Sequence, residues 1–267
     1  MLVYRNLDLE GVRREYLPSL RVANFASVLD NCQVRGTSAR AALPTERLVY
    51  GEHPDEWLWF TPGPSIDAPL IVFVHGGYWH LLSADDGSFL APAVISAGCS
   101  FASVNYTLCP NATIETLIDQ VRRAVEMLAV QRPVHLVGHS AGAHLAASVA
   151  GSDAPVAGYV FVSGVYDIRP LLYTPDNDDI RLSTRDAERW SPLLHHVQHG
   201  VVPAIVACGA DESSEFLRQS DEWALAWGPH ATSVTVAGRH HFDVLFDLFD
   251  DSTAFGAAVL AQVMGGQ

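Results

Sequence analysis

The chain is short of cations, of paired cysteines and of long apolar runs. Lys and Arg together number 16 against 30 Asp and Glu, a formal charge of −14, with a pI near 5.1. Such a surface repels phosphate backbones and anionic lipid, so neither nucleic acid nor a membrane is an expected partner. Four cysteines, Cys32, Cys99, Cys109 and Cys208, form no C-x-x-C pair, and no Cys/His cluster has zinc-finger spacing. No metal and no other cofactor is expected. Cys99 and Cys208 fall beside or within apolar segments, as buried thiols do, which fits a reduced, cytoplasmic compartment. The run Leu70–Val74 is far too short to span a bilayer. Met1–Tyr16 mixes Arg, Asp and Glu without an apolar core, unlike a secretory signal. Internal repeats and low-complexity tracts are absent as well.

What is present is apolar and periodic. The chain has 267 residues, 49% of them hydrophobic, which suits one α/β domain over residues 1–267 with a substantial core. Residues 1–46 read as a helical N-terminal arm, interrupted at Tyr16-Leu17-Pro18, with Val22, Phe25, Ala26 and Leu29 on one buried face. Strands are expected at 57–60, 70–74, 101–106, 134–137, 158–163, 204–208 and 233–236. Helices are expected near 115–130, 143–150, 215–227 and 252–263. This alternation predicts a mostly parallel sheet covered by helices on both faces, with its ligand site beyond the strand C-termini. Residues 164–200 break the pattern with Pro170, Pro175 and the acidic Asp176, Asp178 and Asp179. A long irregular stretch in a compact domain is often functional, so a small cap or lid is expected there.

Gly138-His139-Ser140-Ala141-Gly142 reads G-x-S-x-G between an apolar strand and a small-residue helix. This is the nucleophile elbow of the α/β-hydrolases, in which a strained turn presents the serine hydroxyl. Gly138 and Gly142 remove side chains that would clash, and the helix start under Ser140 favours a nearby oxyanion. A serine hydroxyl needs a base, and hydrolases of this fold order the triad Ser, Asp, His. Asp211, at the end of an apolar strand after Gly209, is the expected acid; Asp167 is the serious rival and Asp153 a weaker one. The base is His241 or His240. His241 is preferred, with Phe242 anchoring the loop in the core and His240 in a structural role. His135, His139 and His144 read as packed or hydrogen-bonded. His195, His196, His199 and His230 read as exposed loop residues. The oxyanion donors are assigned to the amides of Ala141, Gly77 and Tyr78, the last two in His75-Gly76-Gly77-Tyr78-Trp79. His75 is expected to brace that loop by hydrogen bonds.

Within this fold the chain resembles the kynurenine formamidase, or arylformamidase, family. That family carries H-G-G-x-W, which matches His75–Trp79 here. The stretches Ser88–Pro92, Asn105–Pro110, Gly138–Leu145, Asp211–Ser220 and His241-Phe242-Asp243 are also similar, and the last supports His241 over His240. The resemblance covers most of the chain and is weakest at residues 164–200. It implies hydrolysis of N-formyl-kynurenine to kynurenine and formate through a formyl-serine on Ser140, with no metal. The departing aryl amine is large and flat, so aromatic walls are expected: Tyr78, Trp79 and Tyr166, with Tyr173 a further candidate and Trp190 better read as packing. A broad carboxylesterase or thioesterase with the same triad is the competing reading. The expected partner is a small aromatic formamide or ester; a homodimer is allowed, but oligomeric state is not readable from the sequence.

Overall fold

Alternate side chains of the central strands enter two separate cores, as a sheet buried on both faces requires. In the computed structural model, which describes residues 1–130, 132–150, 154–195 and 201–265, eight strands form one sheet. They are β1 (Glu46–Val49), β2 (Trp57–Thr61), β3 (Leu70–Val74), β4 (Ser100–Val104), β5 (Val134–His139), β6 (Val156–Val162), β7 (Ala204–Gly209) and β8 (Ala231–Val236). Their order is β1-β2-β4-β3-β5-β6-β7-β8. β1 and β2 pair antiparallel with each other, and β2 antiparallel with β4. Every other pairing is parallel.

The helices are α1 (Leu9–Tyr16), α2 (Phe25–Ala42), α3 (Ala84–Gly87), α4 (Ala91–Ser96), α5 (Ile114–Leu128), α6 (Ala141–Val149), α7 (Asn177–Ile180), α8 (Thr184–Arg189), α9 (Ser214–Trp227) and α10 (Ala254–Met264). Leu70, Val72 and Val74 of β3, with Tyr159 and Phe161 of β6, pack under α1, α5, α6 and α9. Ile71 and Phe73, with Val160 and Val162, pack under α2, α4 and α10. Each such fully buried aliphatic or aromatic side chain contributes roughly 1.5–3 kcal/mol. α5 shows why these segments are helical: Thr113 caps it by accepting from the Thr116 amide, and Leu117, Val121, Ala124 and Val125 form one buried face.

The expected strands and long helices are present, with ends displaced by a residue or two. β1 is an addition. Glu46-Arg47-Leu48-Val49 is a charged, largely exposed edge strand, and such a strand carries no apolar alternation to read. α3 and α4 are likewise additions. In the arm, Val22 is buried and Phe25 and Leu29 are half-buried as expected, α2 adds Val28, Cys32, Gly36 and Ala39 to the buried residues, and Ala26 is exposed. Among the described residues no helix is long and apolar enough to cross a membrane. Asp153, His196, His199 and the last five residues of the 164–200 segment lie outside the described residues.

Candidate active site

The loops that leave β3, β5, β6, β7 and β8 all emerge at the C-terminal edge of the sheet, where an open α/β sheet places its ligands. The turn after β5 is forced. Ser140 has φ 55° and ψ −120°, a conformation costing about 1–3 kcal/mol for a residue with a side chain. A Cβ on Gly142 would run into the Val74 carbonyl oxygen, and one on Gly138 into the Gly142 carbonyl oxygen. Glycine is therefore required on both sides of the serine.

Ser140 Oγ lies 3.0 Å from His241 Nε2. His241 Nδ1 lies 2.7 Å from Glu212 Oε2. The other oxygen of Glu212 accepts from Ser163 Oγ at 2.5 Å and from the Gly209 amide at 2.7 Å. Burial alone would raise the Glu212 pKa. The charge of His241, its hydrogen bond, and those from Ser163 and Gly209 outweigh that and hold the carboxyl below the ordinary glutamate value. Ser163 itself sits at φ 52°. From that left-handed position its hydroxyl reaches Glu212.

Asp211 does not fill the role expected of it. It is exposed, its amide donates to the Arg239 carbonyl, and Glu212 one position later faces His241 instead. The reason is the cap of α9. Ser213 is its N-cap and accepts from the Phe216 amide, so the residue just before the cap turns inward. The longer glutamate then spans to the imidazole. Asp167 is engaged elsewhere: its oxygens take Tyr4 Oη at 2.8 Å and the Arg169 guanidinium at 2.7–2.9 Å.

His240 caps its own turn, its Nδ1 accepting from the amides of Phe242 and Asp243 at 3.2 Å. Phe242 is not a core anchor. It is half-buried and lies 4.6 Å, centroid to centroid, from Phe25 of the arm. His139, the variable position of the elbow, supports the His241 backbone: its Nε2 lies 2.7 Å from the His241 carbonyl oxygen. Burial first, then the neighbouring His241 charge, drives the His139 pKa down to about 3, so it is a neutral donor. His75 braces the loop after β3. It stacks on Tyr106 at 4.2 Å and bonds the Gly76 carbonyl at 2.8 Å, and burial lowers its pKa to about 4. Gly76 comes close enough that a Cβ there would lie 3.1 Å from Ser140 Cβ.

A cavity of about 180 Å³ opens onto Ser140 and His241. Its walls correct two expectations. Trp79 and Tyr166 are fully buried in the core, Tyr166 stacked on Trp223 at 4.9 Å, and neither lines the cavity. Tyr78 does line it. The remaining apolar wall comes from the arm (Leu17, Pro18, Phe25, Val28, Leu29, Cys32), from Leu81 and Leu82, and from Phe73, Phe89, Phe242 and Leu245, while the described part of 164–200 contributes Asp176 alone. A larger depression of about 820 Å³ lies at the opposite strand ends, by Pro69, Pro133 and Pro203, and contains no part of the Ser140–His241–Glu212 relay.

Residues 71–241 match a family model described as the alpha/beta hydrolase fold. Kynurenine formamidase of Danio rerio is 33% identical over 242 residues, 82% of this chain and 83% of that protein. Kynurenine formamidase of Drosophila melanogaster is 28% identical over 92% of this chain and 95% of its own length. Among solved structures, a candidate thioesterase from Silicibacter sp. TM1040 superposes with a TM-score of 0.82 at 28% identity, covering 89% of this chain and 94% of that one. The chain is therefore a hydrolase of the α/β-hydrolase fold, and it belongs to the kynurenine formamidase family.

Proposed function

We propose that the protein cleaves the N-formyl amide of an aryl amine, N-formyl-L-kynurenine first among such substrates, to the free amine and formate. The relay from Ser140 Oγ through His241 to Glu212 carries this reading, because its distances of 3.0 and 2.7 Å suit proton transfer without rearrangement. His241 Nε2 takes the Ser140 proton as Oγ attacks the formyl carbon. The tetrahedral oxyanion is held by the amides of Ala141, Gly77 and Tyr78, which make no backbone hydrogen bonds of turns or loops among the described residues. His241 then returns the proton to the amine nitrogen as the C–N bond breaks, leaving formyl-Ser140. Water, deprotonated by His241, attacks that ester; the bond from the formyl carbon to Oγ breaks as His241 returns the proton to Ser140, and formate leaves. Glu212 keeps the imidazole in the right tautomer and balances its charge. The flat aryl amine suits the cavity's apolar wall.

The same machinery cleaves esters more readily than amides, since the leaving group is better. The test is kcat/KM on N-formyl-L-kynurenine beside a short aryl ester and a short thioester. Formamide turnover within an order of magnitude of the esters upholds the reading. Esters preferred by several orders of magnitude would replace it with a carboxylesterase or thioesterase. In either case Ser140→Ala is expected to lower kcat on the order of 10^4-fold or more with an unchanged circular dichroism spectrum.

A further inference from the structure

The catalytic cavity is apolar except at a few points, and its two carboxylates differ. Asp86 is used up by the protein. One oxygen accepts from Gln33 Nε2 at 3.0 Å, and the other from the amide and hydroxyl of Ser83 at 2.9 and 3.1 Å. Asp176 is not. Its Oδ1 lies 3.1 Å from His80 Nε2, while its Oδ2 is buried and has no hydrogen-bond donor among the described residues. His80 is fixed from behind, its Nδ1 lying 3.4 Å from Asp179. Among the described residues the lining contains no arginine, and the chain contains no lysine. A carboxylate oxygen withdrawn from water without a donor is costly, and a ligand that brings a positive donor relieves the cost.

We infer that Asp176 is a specificity-determining residue that receives a primary ammonium group of the substrate in the cavity containing Ser140. The inference deepens the formamidase reading and rests on it for the reaction. N-formyl-kynurenine carries an ammonium and a carboxylate on one carbon, and the described lining offers an unpaired carboxylate oxygen to the first and no lysine or arginine to the second. Recognition of the charged tail thus runs through the amine, and the carboxylate is dispensable.

Two measurements test this on the wild-type protein and on Asp176→Asn and Asp176→Glu. The first is KM and kcat on N-formyl-L-kynurenine, on its decarboxylated analogue that keeps the amine, and on ortho-formamidoacetophenone, which has neither charge. The second is calorimetric binding of β-aminopropiophenone against neutral propiophenone, which needs no turnover. A desolvated charge-assisted contact implies a loss of about 10- to 100-fold. D176N is expected to raise KM for both amine-bearing formamides and to weaken β-aminopropiophenone by that factor. The neutral compounds should stay within about twofold, and D176E should recover part of the loss. Equal losses on charged and neutral compounds, or a wild-type protein that does not prefer the amine, would overturn the assignment. If no formamide is cleaved yet the amine preference and its loss in D176N stand, the formamidase reading fails and the ammonium site survives.

Discussion

The N-terminal arm and the 164–195 segment flank the same active site, and they meet it in opposite ways. The arm gives the cavity much of its apolar wall. The segment gives it Asp176 and turns its bulk into the core. Both are fastened to α9 through Gln219. Its Oε1 accepts the Tyr166 and Asp167 amides at 2.6 and 2.7 Å, and its Nε2 donates to Tyr16 Oη at 2.9 Å. The arm has further ties to the residues that follow Glu212: Ser213 Oγ to the Glu15 carbonyl at 2.7 Å, Ser214 Oγ to the Glu15 carboxylate at 2.8 Å, and Tyr16 Oη to Glu215 at 2.6 Å. The segment instead leans on the elbow helix, where His144 Nε2 lies 2.6 Å from the Trp190 carbonyl oxygen. The irregular stretch with its prolines was thus the less exposed to ligand, and the apolar side of an arm far away in sequence became the wall. Apolar surface left beside a catalytic serine tells more about a binding site than loop length does.

The largest effect expected concerns the loop to which the arm is anchored. Glu212→Gln keeps the shape and removes the charge opposite His241. By analogy with loss of the acid in other triads it should cost on the order of 10^3- to 10^4-fold in kcat. Asp211→Asn should stay within about twofold. A steady-state assay of the two variants decides between them, and equal activity in both would remove Glu212 from the relay. Ser163→Ala, which strips one donor from Glu212, belongs to the same series and should fall between them.

Acid separates the two regions next. Burial holds His75, His135 and His144 down to about 4 and His139 to about 3. In the unfolded chain these imidazoles take a proton below about 6.5. Between these limits the unfolded state binds more protons, so stability falls as pH falls from about 6.5 toward 4. Together they should remove about 5 kcal/mol at about pH 5.5 relative to about pH 8, a large part of the 5–15 kcal/mol of a typical domain. Glu215, beneath the arm, behaves differently. Burial opposes its ionisation, but hydrogen bonds from Arg218 and Tyr16 win and depress its pKa. Its contribution persists through that window and is lost only as pH falls through its lowered folded value. Urea unfolding at several pH values checks the first effect. Hydrogen exchange should show His144 and the 184–194 stretch loosening before the arm does.

The sequence disclosed the parts of this site that are written in short range. Leu70–Val74 and Val134–Val137 are apolar runs preceded by proline and followed closely by glycine, so both strands, and the elbow that follows the second, were legible. His241 was legible from its place after the last strand and from the family resemblance. Glu212 was not, because Asp211 and Glu212 are adjacent acids and their choice depends on how the Ser213 cap turns the backbone. The cavity wall was not legible either. Trp79 ends the His75–Trp79 motif and Tyr166 follows β6, but which way a side chain points after a turn is set by tertiary packing. Tyr78 at φ 46° and Trp79 at φ 61° lie on such a turn. Phe25 and Phe242 meet across more than 200 residues of sequence, and no local pattern records that contact.

Smaller effects sharpen the contrast. Tyr16→Phe leaves the ring of the arm in place and strips a hydroxyl from between Glu215 and Gln219, both buried. Leaving those groups short of a partner should cost about 1–3 kcal/mol in chemical denaturation, with kcat little changed.

Smallest, and most direct, is a pair of truncations. Phe25→Ala removes an arm ring that packs on Phe242 at the cavity edge. Lost aromatic contact and a wider mouth should raise KM for an aryl substrate about tenfold, through binding shared by ground and transition state. Tyr173→Ala removes a ring on the 164–195 segment that is 38% exposed and lies outside the cavity lining, and it should change KM by no more than about twofold. If Tyr173→Ala raised KM more than Phe25→Ala did, the segment and not the arm would be the wall that the aryl group meets. The apolar face of α2 would then be ordinary packing. The same experiment run with a short neutral ester should show both differences shrink, because a small substrate leaves the far wall untouched.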